Sequence, residues 1–76
     1  MNQDQFIKDF ELLFDEVEQG TISLKTVFRD EDEWSSLIAL TLIAMVDENY
    51  DVKLTGEDIR ESITVEDVFN RIKNKL

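Results

Sequence analysis

Seventy-six residues carrying 18 acidic and 8 basic side chains, for a net charge of -10, make one small domain whose surface disfavours nucleic acid and anionic membranes and favours basic partners. There is no Cys and no His, which excludes disulfides, thiolate zinc sites and a cysteine nucleophile, and removes the commonest general base and transition-metal ligand. A self-contained enzyme is therefore not expected, and Met1-Asn2-Gln3-Asp4-Gln5, with no basic stretch leading into an apolar one, leads us to expect a cytoplasmic protein.

In chain order, Asn2 is placed to cap a first helix in which Phe6, Phe10, Leu13, Phe14 and Val17 recur at helical spacing, with Ile7 and Leu12 broadening the stripe, and Gly20 is the expected stop. The acids Asp9, Glu11, Asp15, Glu16 and Glu18 read as its solvated face. The connection from Gly20 to Glu33 is longer than a bundle needs, with Ile22, Leu24, Val27 and Phe28 as anchors over the core. Ile22 to Leu24 is compatible with a short strand but has no evident partner. The loop closes on four carboxylates, Asp30 to Glu33, which favour solvent, a cation or a basic protein.

Residues 34 to 50 are expected to form the central helix. Between Leu37 and Val46 only Thr41 is polar, and the run is too short for the roughly 20 apolar residues of a membrane span. Ala39, Leu42, Ile43, Val46 and Tyr50 make the core stripe, while Leu37, Ile38, Thr41, Met45 and Glu48 are assigned to the other side. Thr55 and Thr64, each with an aspartate three residues on, open a short third helix ending near Ser62 and a fourth carrying Val65, Val68, Phe69, Ile72 and Leu76. The expected fold is all-α: residues 1–76 as a four-helix bundle with a long loop after the first helix.

Two constellations bear on chemistry. Ser35 and Ser36 stand at the head of the central helix; Ser35 suffices as the cap, leaving Ser36 in the first turn, where an attached phosphate would be stabilised by free N–H groups and the helix dipole. Neither has a base beside it, so chemistry at Ser36 must be done by another protein. The stretch Asp47-x-Asn49-x-Asp51, with Asp58 in twelfth place, has the spacing of a calcium loop, but Val52 stands where the sharp turn requires Gly. No metal site is expected.

The order of elements resembles that of the acyl carrier protein family. The matching residues are Trp34-Ser35-Ser36-Leu37 for the family's W-D-S-L or A-D-S-L motif, then Leu40 and Leu42, Asp47-Glu48-Asn49-Tyr50 for its E-E-x-F end, and Ile63-Thr64-Val65-Glu66-Asp67-Val68 for its I-x-T-V-x-D start. The likeness covers nearly the whole chain and is strongest over residues 34 to 72. It implies that a phosphopantetheinyl transferase attaches 4'-phosphopantetheine to Ser36, and that the arm's thiol carries an acyl or aminoacyl group as a thioester for fatty acid, polyketide or related biosynthesis. Acyl-loading and acyl-transferring enzymes would be the partners, and a free monomer is the expected state.

The chain departs from the family at Ser35, where an aspartate is usual: the cap is preserved but a charge used in docking on the transferase is lost. The outward face is also short of acids, Ile38, Thr41 and Ala44 being uncharged. Partners are accordingly expected to grip Ser35, Leu37, Ile38, Thr41, Met45 and Glu48, an apolar patch rimmed by carboxylates, with Ile38→Asp weakening transfer without unfolding. The alternative is an unmodified carrier-like fold acting as a protein–protein interaction module.

Overall fold

Asn2 opens the first helix as expected, its side-chain oxygen accepting the Gln5 N–H at 3.0 Å. In the computed structural model, which describes all of Met1–Leu76, α1 spans Gln3–Glu11, α2 Ser36–Tyr50, α3 Gly56–Arg60 and α4 Val65–Lys75, with a 3-10 turn at Phe28–Asp30. The fold is all-helical, a four-helix bundle with a short third helix.

The first helix is shorter than its apolar spacing predicts. It stops at Glu11, well before Gly20, and Leu12 is left 81% exposed. The reason is that Glu11 is itself buried, and its Oε2 accepts the N–H groups of Gly20 at 2.8 Å and Ile22 at 2.9 Å. The side chain read as solvent-facing folds the following loop back on the helix end. Gly20 makes the return with φ of +89°, a conformation that costs glycine little. Phe14 is buried from outside the helix and packs its ring 6.1 Å from Phe10.

The long loop is anchored by Ile22 and Phe28, both buried; Leu24 is half-buried, and Val27, 37% exposed, instead forms an isolated antiparallel bridge with Thr64. No strand forms at Ile22 to Leu24; the pairing groups are Thr26 O and Leu24 O, which accept from Val65 N and Glu66 N at the start of α4. These bonds take up two of the free N–H groups that any helix start leaves over.

Capping boxes start α3 and α4: Thr55 pairs with Asp58 and Thr64 with Asp67, in both directions. The core joins Phe6 and Phe10 of α1, Leu42 and Val46 of α2, Ile59 of α3, and Val65, Val68, Phe69 and Ile72 of α4. Leu76 falls outside the stripe assigned to it, 68% exposed beyond the last turn. An aromatic chain runs from Phe69 through Phe6, Phe10 and Phe28 to Trp34, tying the entry of α2 to the centre of the core. No helix is long and apolar enough to cross a membrane.

Candidate functional site

The entry of α2 is built from Trp34, Ser35 and Ser36. Trp34 is half-buried with its ring 4.7 Å from that of Phe28, which fixes where the chain turns into the helix. Ser35 is the cap, its Oγ accepting the Ile38 N–H at 3.3 Å. Ser36 is the first helical residue and is exposed, and with capping assigned to Ser35 its hydroxyl is left over. The first turn of α2 contains no acid, whereas those of α1, α3 and α4 contain Asp4, Glu57 with Asp58, and Glu66 with Asp67.

Beside Ser36 an open groove of about 410 Å³ runs between α2 and α3, within the size range of small-molecule sites. Trp34, Ala39, Leu40, Ile43 and Ile59 give it an apolar lining, and Arg29 and Arg60 add two guanidinium groups. Arg29 donates to the carbonyls of Ile59 and Ser62, satisfying the C-terminal end of α3, and its Cζ stands 5.0 Å from the centre of the Phe28 ring. Arg60 lies back along α3 towards Gly56. The four ion pairs of the chain, Lys53 with Asp47, Arg71 with Asp58, Arg71 with Glu61 and Lys75 with Asp58, leave Arg60 out.

Neither arginine stands out in the sequence, since a lone Arg has no period and no motif. The one available signal was their scarcity, 8 basic residues among 18 acidic ones.

The residues assigned to partner binding divide in two. Ser35, Leu37, Thr41 and Glu48 are exposed on the outer side of α2, Leu37 at 71%, and Leu40 joins them at 63%. Thr41 returns its hydroxyl to the Leu37 carbonyl at 2.9 Å. Ile38 and Met45 are half-buried and pack on the core, a correction with a simple cause: they stand four before and three after Leu42, the spacings that place side chains on one helix face. Ile38→Asp would therefore strain the core as well as the surface. Leu37 is the cleaner probe.

The acids of the loop are also not uniform. Glu33 accepts the backbone N–H groups of Asp15 at 2.8 Å and Glu16 at 2.9 Å through its two oxygens, so it ties the loop end to the segment after α1. In the stretch with calcium-loop spacing, Asp47 pairs with Lys53 at 2.7 Å, Asp51 terminates α2 in the left-handed conformation at φ of 56°, and Asp58 belongs to the α3 cap. These carboxylates do not gather around a common point.

Comparison of the chain with protein-family models, with curated proteins and with solved structures finds no match.

Ser36 offers an accessible oxygen at a helix start, where N–H groups and the dipole favour a phosphate. Alongside it are two guanidinium groups and an apolar wall.

Proposed function

We propose that this domain is an acyl or aminoacyl carrier, modified on Ser36 with 4'-phosphopantetheine. The observation that carries the reading is the position of Ser36: an exposed hydroxyl in the first turn of α2, relieved of capping by Ser35 and opening on the groove between α2 and α3. The order of elements that resembles an acyl carrier protein supports it.

In the transfer, Ser36 Oγ attacks the pantetheine-bearing phosphorus of coenzyme A. An Oγ–P bond forms, the pyrophosphate link breaks with release of adenosine 3',5'-bisphosphate, and the hydroxyl proton passes to the transferase. The attached arm supplies a thiol that holds the cargo as a thioester. The carrier's own residues present the hydroxyl and flank the arm. It performs no catalysis, because Ser36 has no adjacent base.

Intact mass after incubation with coenzyme A and a broad-specificity phosphopantetheinyl transferase tests this directly. The expected result is a gain of one phosphopantetheine, absent in Ser36→Ala. A folded wild-type protein that gains nothing would overturn the carrier reading.

That outcome would favour a module that binds proteins without being modified, for which the specific observation is the exposed pair Leu37 and Leu40 on α2. Under the carrier reading the same face meets the transferase and the loading and transferring enzymes. Leu37→Asp should raise the KM of a transferring enzyme for the carrier several-fold while leaving the urea midpoint within experimental error, since exposed positions rarely matter to stability. An unchanged KM would remove Leu37 from the interface.

A further inference from the structure

The groove beside Ser36 combines features that its neighbours do not share. In a chain with a net charge of -10, two of the 8 basic residues converge on one groove. Arg29 already serves the carbonyls of Ile59 and Ser62, whereas Arg60 takes part in no ion pair of the fold. Glu57 on α3 and Glu61 just past its end stand within a turn of Arg60, and Glu61 pairs instead with Arg71 at 3.9 Å. A guanidinium presents five N–H donors in a planar fork suited to phosphate oxygens. Here that fork shares a groove with Ser36 and an apolar strip made by Trp34, Leu40 and Ile43.

We infer that Arg60 is a positioning residue for the arm: it takes the phosphate attached at Ser36 and so lays the pantetheine along the Trp34, Leu40 and Ile43 wall. This rests on the carrier reading for the identity of the arm. The contact itself does not require that Ser36 be modified, because the same fork meets the same phosphate when 4'-phosphopantetheine is supplied free. Tethering then converts a weak bimolecular contact into an intramolecular one at high effective concentration. Arg29 contributes charge from beside the groove while remaining bound to α3. Position 35 itself carries Ser, so the residue directly before Ser36 adds no carboxylate charge that would repel the phosphate.

The test uses the unmodified protein, labelled with nitrogen-15, and free 4'-phosphopantetheine, with no transferase present. Saturable shifts are expected at the Arg60 Nε–Hε and Trp34 indole resonances. Pantetheine without its phosphate should leave Arg60 unmoved. Arg60→Gln should weaken binding about fivefold or more, a change equivalent to about 1 kcal/mol, and Arg60→Lys should restore part of it. The inference is overturned if Arg60 does not respond up to the solubility limit, if pantetheine moves it equally, or if Arg60→Gln binds as the wild type does. Loss of the mass gain at Ser36 would sink the carrier reading without touching this result, and failure here would leave the mass gain intact.

Discussion

At the scale of single residues, two carboxylates do work that a hydropathy pattern assigns to apolar groups. Glu11 is only 8% exposed and holds two N–H groups, one of them the buried donor of Ile22. A buried donor that loses its partner costs about 1–3 kcal/mol, so Glu11→Ala should lower stability by about that amount, read as a reduced urea midpoint at unchanged m-value. Glu11→Gln, which keeps one acceptor oxygen, should lose less. If Glu11→Ala costs no more than Glu18→Ala, a change at an exposed acid, the account of the loop closure is wrong. Glu33 acts in the same way on Asp15 and Glu16. Neither role was legible in the sequence, because an acid in an acidic stretch reads as solvated unless the backbone donors that reach it are known. Asp9 is a third case: it accepts the Tyr50 hydroxyl at 2.8 Å across α1 and α2. Burial and then that hydrogen bond push the Tyr50 hydroxyl well above the usual tyrosine range.

Among the elements, those with a cap at the start and a period throughout were legible. The α2 cap at Ser35 and the capping boxes at Thr55 and Thr64 form as their spacing predicts, and the stripes through Leu42 and Val46, and through Val65, Val68, Phe69 and Ile72, are buried. The end of α1 was not, because Phe14 and Val17 continue the helical spacing while reaching the core from a loop. The short α3 is the other instructive case. Five residues form too little helix to persist alone, and what holds them is tertiary: the capping box, Arg29 on the carbonyls of Ile59 and Ser62, and the buried Ile59. Arg29→Met keeps most of the stem and removes the donors. It should speed amide exchange over residues 57–62 by tenfold or more, equivalent to about 1.4 kcal/mol of local stability, with smaller effects in α4. Equal acceleration in α3 and α4 would mean that Arg29 supports the whole fold and not this element. Since α3 forms one wall of the groove, its firmness bears on the site, and the same residue that closes the helix end keeps that wall beside Ser36.

For the molecule as a whole, charge sets the pH range over which these arrangements hold. As the 18 acids protonate, the formal charge moves from -10 towards +8, crossing zero near the pI of 4.2. General repulsion is thus relieved near pH 4 and returns with opposite sign below it. Asp58 behaves differently. Partial burial acts to raise its carboxyl, but the Thr55 N–H, the Lys75 ammonium and the Thr55 hydroxyl together outweigh that and hold it down to about 2, against an ordinary 3.8. Asp67 is lowered by the N–H groups of Thr64 and Ile63. A carboxyl whose value is lower in the folded chain than in the unfolded one stabilises the fold above the unfolded value, and that stability is lost as the pH falls through the folded one. For Asp58 the window is from about pH 4 down to about 2, with on the order of 1–2 kcal/mol at stake. The comparison that isolates it from general repulsion is wild type against Asp58→Asn by urea unfolding at several pH values. The stability advantage of the wild type should be constant above pH 5 and shrink by that amount by pH 2.5. An advantage that persists unchanged to pH 2.5 would show that Asp58 stabilises α3 by its shape and hydrogen bonds, with its charge, and hence the Lys75 and Arg71 pairs, contributing nothing.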